Sequence, residues 1–156
     1  MRKTVLATAL LSLCLAGSAL ASWKVQNGDA IIETENSAAL TLTCDNNANT
    51  NFARGWLVRV DALDLRRMGP RVRATFRFDG QRPLTVMADN RLGHVSIDSM
   101  TAPNQSDVNA IVNRLKAANR VTVTLIDDAN GTAREPLAFN LRGSSRAIRS
   151  VQQACH

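Results

Sequence analysis

RVRATFRFDGQRPLTVMAD, residues 71–89, decides how the rest of the chain is read. Val72, Ala74, Phe76 and Phe78 recur at every second position, and Arg71, Arg73 and Arg77 occupy the places between them. Successive side chains of an extended strand point to opposite faces, so the alternation predicts one strand with an apolar inner face and a basic outer face. Asp79-Gly80 marks a tight turn, after which QRPLTVMAD returns as a second strand. Pro83 stands at its entrance, where a missing N–H is tolerated.

The same period extends outward in both directions. In AALTLTCDN (38–46) Leu40 and Leu42 lead in steps of two to Cys44, which places the cysteine on an inward face. GWLVRVDAL (55–63) sets Trp56, Val58 and Val60 against Arg59 and Asp61, and GHVSID (93–98) is a further short strand. The period changes at NQSDVNAIVNRLKAAN (104–119), where Val108, Ile111, Val112 and Leu115 fall at helical spacing behind Asn104 or Ser106 as N-cap. Two β-rich runs then flank Asn130-Gly131, a hairpin signal. Finally Gly143 and a Ser144-Ser145 cap introduce a segment on which Ala147, Ile148, Val151, Ala154 and Cys155 form one apolar stripe. The expected fold is α+β and β-rich: a small antiparallel sheet or sandwich with one internal amphipathic helix and a C-terminal helix.

Residues 1–21, MRKTVLATALLSLCLAGSALA, read as a secretory signal peptide, with basic Arg2 and Lys3, an apolar run, and small residues at Ala19 and Ala21. The run is short for a transmembrane span and is interrupted by Gly17 and Ser18, so no stable membrane anchor is expected after cleavage. Leu13 before Cys14 is too large for a lipoprotein signal. Its alanine-rich character is bacterial, and the expected location is the periplasm or outside the cell. Cleavage would leave residues 22–156 as one exported domain and lower the formal charge from +6 to +4. It would also leave only Cys44 and Cys155, an even count that in an exported chain reads as a disulfide. Closing that long loop would stabilise the fold by about 4–5 kcal/mol in the chain-entropy account.

Catalytic and metal-binding patterns are sparse. His94 and His156 are the two imidazoles, no His/Cys/Asp/Glu cluster has metal-ligand spacing, and no phosphate-cradling glycine loop or dinucleotide fingerprint occurs. No metal or cofactor is therefore expected. RGSSRA (142–147) lacks the second glycine of a nucleophile elbow, and counting back from Gly131 in DDANGT places Ile126 where a calcium loop needs its first acid. His94 beside a strand would be a general base only with an acid close by.

Arginine is the one patterned feature with chemical meaning. Arg54, Arg59, Arg66, Arg67, Arg71, Arg73, Arg77, Arg82 and Arg91 fall in one stretch without a lysine. Arg71, Arg73 and Arg77 project from one side of one strand and Arg59 from the same side of a neighbour, a candidate site for an anionic ligand. The competing reading is a solvated sheet face with interspersed acids. Nucleic acid is not expected, because the chain carries an export signal, has no tyrosine and turns its aromatics inward.

SWKV (22–25) after the cleavage site, the cysteine strand, the β-rich middle and the terminal FNLRGSSRAIRSVQQAC (139–155) together resemble small exported bacterial proteins of the invasion-associated locus B type. They also resemble the type VI secretion accessory type. The resemblance is specific over about residues 137–155 and implies a periplasmic or secreted β-rich domain closed by a first-to-last disulfide, acting at the envelope or on a host. It carries no catalytic residue. The expected function is a non-enzymatic binding module for an envelope polymer or an acidic protein partner. Its alternatives are an inhibitor of a cell-wall hydrolase and a hydrolase with an unrecognised site.

Overall fold

A computed structural model describes residues 22–45, 55–99 and 105–154. The expected signal peptide, Asn104 as a helix cap and Cys155 lie outside them. Nine strands form one antiparallel sheet: β1 (Lys24–Gln26), β2 (Asp29–Glu33), β3 (Ala39–Asp45), β4 (Gly55–Asp61), β5 (Arg71–Phe78), β6 (Leu84–Arg91), β7 (His94–Asp98), β8 (Arg120–Asp127) and β9 (Leu137–Asn140). Their spatial order is β1-β2-β3-β4-β7-β6-β5-β8-β9. The helices are α1 (Gln105–Ala117) and α2 (Ser144–Ala154), and a 3-10 turn, Leu65–Arg67, lies between β4 and β5. The architecture is thus β-rich α+β with the two expected helices, and its single sheet resolves the choice between sheet and sandwich.

Alternation settles which way the sheet faces. Val72, Ala74, Phe76 and Phe78 are buried, and their cross-strand partners Ala88, Val86, Leu125, Val123 and Val121 continue the same apolar layer. Leu40, Leu42, Val58, Val60, Val95 and Ile97 extend it through β3, β4 and β7. Both helices lie on this inner side, α1 against β4–β7 with Val108, Ile111, Val112 and Leu115, and α2 against β1–β3 with Ala147, Ile148 and Val151. β1 pairs only with Asp29–Ile31, and beyond that pairing Ile32 and Glu33 line one shallow depression with Ala138–Asn140 of β9. The sheet therefore coils until its two edges approach, as right-handed twist accumulated over nine strands favours.

Several local features differ from the expectations. The β1–β2 hairpin turns on Asn27-Gly28, whose φ angles of 52° and 86° are the left-handed pair of a two-residue turn. Asn130-Gly131 lies in the expected antiparallel hairpin between β8 and β9, but in a longer turn, closed by an Ile126–Ala133 bridge and by Asp127 N–H donating to the Thr132 carbonyl at 2.9 Å. Helix α1 begins at Gln105 with Ser106 already inside its first turn, so Ser106 is not its cap. Ser144 does not cap its own helix either. Its hydroxyl donates to the Leu115 carbonyl of α1 at 2.6 Å, while Gly143, at φ 89°, accepts the first α2 N–H groups through its carbonyl. A buried hydroxyl beside a buried carbonyl near the end of the neighbouring helix satisfies both groups and ties α2 to α1.

Candidate functional site

The outer face of the sheet carries the four arginines singled out by the sequence, and neither helix covers it. Arg71, Arg73 and Arg77 are exposed along β5 with their side chains opposite to the buried Val72, Ala74, Phe76 and Phe78. At about 3.3 Å per residue they span roughly 20 Å. Arg59 shares the face, since it stands beside Ser96, Ser96 beside Asp89, and Asp89 beside Arg71 in register. Three strand spacings separate it from β5, about 14 Å.

This face is charged in both signs. Arg59 Nε lies 3.0 Å from Asp61 Oδ2, and Arg73 Nε 3.4 Å from Asp128 Oδ1. Among the described residues Arg71 and Arg77 have no carboxylate in ion-pair contact. The stripe thus has two half-neutralised members and two whose guanidinium groups face solvent. Between them runs a polar row, Thr85–Thr75–Thr124, in which the first two hydroxyls lie 2.9 Å apart.

β6 and β7 pair only from Asp89 to Arg91 and diverge beyond that point. A depression of about 560 Å³ opens where they part, with Arg71, Arg91, Met87, Ser96 and the carboxylates Asp89, Asp98 and Asp107 in its lining. Arg71 therefore sits at the junction of the stripe and the depression. Sequence reasoning had no means of finding this opening, because strand divergence depends on how β7 is inserted between β4 and β6.

His94 does acquire an acid. Its Nδ1 contacts Asp61 Oδ1, and Asp61 is shared with Arg59, so the three side chains form a chain of polar contacts across β4 and β7. A carboxylate holding one imidazole nitrogen is the orientation a general base needs. Ser96, two residues along the same strand face, donates its hydroxyl elsewhere, to the Asp89 carbonyl at 3.4 Å. The His94 side chain is 56% exposed, so the group lies on an open surface and not in a cleft. Among the described residues no group of three or more His, Cys, Asp or Glu could hold a metal ion, and no helix is long and apolar enough to cross a membrane.

Two buried polar residues, unremarked in the sequence, hold the connection from β4 to β5. Asn90 points inward from β6, and its Nδ2 donates to the carbonyls of Leu65, Met68 and Gly69 at 2.8, 3.1 and 3.1 Å. Asp127 points inward from β8 and accepts the Gly69 N–H at 2.8 Å and the Ala129 N–H at 2.9 Å. The Gly69 N–H, then that of Ala129, holds the Asp127 carboxyl below its ordinary range, against the opposing effect of burial. Cys44, opposite Trp56, packs against the core from the inner side, and its expected partner Cys155 lies outside the described residues. No family model, curated protein or solved structure matches the chain, so no residue role is carried to this surface from another protein.

Proposed function

We propose that the chain is an exported, non-enzymatic binding module of the bacterial periplasm or exterior, and that it holds its partner on the outer sheet face around Arg71, Arg73 and Arg77. The observation that carries the reading is a row of three exposed guanidinium groups on one rigid strand, two of them unpaired among the described residues, beside a depression large enough to seat a protruding group. Guanidinium forks recognise carboxylate and phosphate in fixed geometry, and the strand fixes their spacing. The carboxylates Asp89, Asp98 and Asp107 in the depression favour a partner that presents amino groups beside its acids. A protein surface or a peptide-bearing envelope polymer has that composition; a uniformly anionic chain does not. In this reading the signal peptide delivers the domain and a Cys44–Cys155 bond closes it.

The test is affinity capture from envelope extract with the processed protein and with a variant carrying Arg71→Gln, Arg73→Gln and Arg77→Gln together. Capture should fall in the variant and fall further as salt rises, because exposed charges are screened over about 8 Å at physiological ionic strength. Stability should stay within about 0.5 kcal/mol, as for other exposed substitutions. A captured partner indifferent to both the substitutions and salt would remove the face from consideration. A second reading, hydrolysis with His94 as base, draws on the Asp61 contact alone; a hydrolytic activity lost in His94→Ala would establish it.

A further inference from the structure

A different part of the molecule presents a second site. Where the coiled sheet ends, the β2–β3 turn, the segment from Ala62 to Leu65 and the return from β8 to β9 surround a cleft of about 320 Å³. Its apolar lining comes from Ala38, Leu65, Leu125 and Leu137, all buried or half-buried, and Leu63 stands at its rim 80% exposed. A mouth of this kind, apolar with few polar groups, is where closed or nearly closed sheets hold small ligands.

Of its polar residues, Asn36, Asp64 and Glu135 are exposed, and Arg134 is the one that is half-buried. Ala133 pairs with Ile126 in a bridge, and Arg134 N–H donates to the Leu125 carbonyl at 2.8 Å, so Arg134 follows the inward register of Leu125. That places a guanidinium on the apolar side of the sheet, where its Nε is buried with no acceptor, and among the described residues no carboxylate pairs with it. A buried, unmatched donor on a charged group is costly, more so than a neutral one. Asp64 and Glu135 also line the cleft, but both are exposed and lie toward solvent.

We infer that this cleft binds a small carboxylate joined to an apolar group of about amino-acid side-chain size. The carboxylate would accept from Arg134 Nε and a second guanidinium N–H, the two-point geometry that arginine favours. The apolar group would replace water against Leu65, Leu125 and Leu137, with Leu63 closing over it. A free apolar amino acid and a short branched fatty acid share this chemistry. The rim acids Asp64 and Glu135 separate them, since only the amino acid brings an ammonium group to meet them.

Calorimetric titration of the full chain with leucine, 4-methylpentanoate, 4-methylpentanol and 3-methylbutylamine tests the inference. Leucine or 4-methylpentanoate should bind, and the stronger of the two identifies the source. The alcohol and the amine should bind at least tenfold more weakly than that ligand, because neither matches Arg134. Arg134→Gln should weaken carboxylate binding by about ten- to a hundredfold, the loss of a charged hydrogen-bond pair. Leu63→Ser, at an exposed position that leaves the fold intact, should weaken it several-fold. Failure of both carboxylates to bind, equal binding of the alcohol, or carboxylate binding unchanged in Leu63→Ser and Arg134→Gln would each overturn the inference. None of these results bears on the arginine face, which lies on the other side of the sheet.

Discussion

Replacing Asn90 by alanine should cost this protein more stability than its size suggests. The side chain is 9% exposed and its amide serves three carbonyls of the connection that carries the buried Leu65 and Met68. One hydrogen bond contributes about 1 kcal/mol net, and a carbonyl left buried without a donor costs about 1–3 kcal/mol. The loop can relax to expose part of what is lost, so a total of about 2–4 kcal/mol is expected. For a domain of this length that is a fall of roughly 7–15 °C in Tm. Asn90→Asp separates hydrogen bonding from volume, because it conserves shape but turns an acceptor toward three acceptors. Its cost at pH 7 should exceed that of Asn90→Ala. The introduced carboxyl has its folded pKa raised by those carbonyls and by burial, so the penalty applies above that pKa and is relieved as pH falls through it. Chemical denaturation of the two variants at pH 7 and pH 4 measures all of this. A loss below about 0.5 kcal/mol in Asn90→Ala, or an Asn90→Asp variant no worse than the alanine at pH 7, would refute the role assigned to the amide.

Asp127 has its folded pKa depressed, so its contribution to stability is full above the unfolded carboxylate range and is lost as pH falls through that range toward the folded value. Unfolding of the parent between pH 6 and pH 3 should therefore steepen on the acid side, and Asp127→Asn should flatten that dependence while lowering stability at pH 7. Gly93→Ala should destabilise by about 1–3 kcal/mol in thermal melts, since the residue holds φ 91° and a Cβ would stand 2.7 Å from Arg66 Cγ. Should the expected Cys44–Cys155 bond close the domain, Cys155→Ser will lower Tm, and hydrogen exchange will rise over residues 144–154 before it rises in the sheet.

What the sequence determined by itself was everything that rests on local periodicity. Two-residue alternation is a property of the extended backbone, so the inward Val72, Ala74, Phe76 and Phe78 and the outward Arg71, Arg73 and Arg77 were legible without a fold. The spacing of Val108, Ile111, Val112 and Leu115 identified α1 for the same reason. The N-terminal hairpin was within reach through Asn27-Gly28, but β1 is three residues long and exposed throughout, too short to show a period. Asn130-Gly131 carried the same dipeptide yet sits in a longer hairpin turn, within which the Asp127 carboxylate accepts from the Ala129 N–H and the Asn130 amide.

Only the tertiary structure decided which strands are neighbours. Placing β7 between β4 and β6 joins His94 to Asp61, parts β6 from β7 and opens the depression beside Arg71. Coiling of the sheet brings Ala38, Leu65, Leu125 and Leu137 around Arg134, residues that span about a hundred positions of chain. Asn90 and Asp127 read in the sequence as ordinary polar residues near strand ends, and Arg134 as one of a connection between strands. Their burial and their partners come from contacts distant along the chain, and no local pattern of residues encodes where a coiled sheet will close.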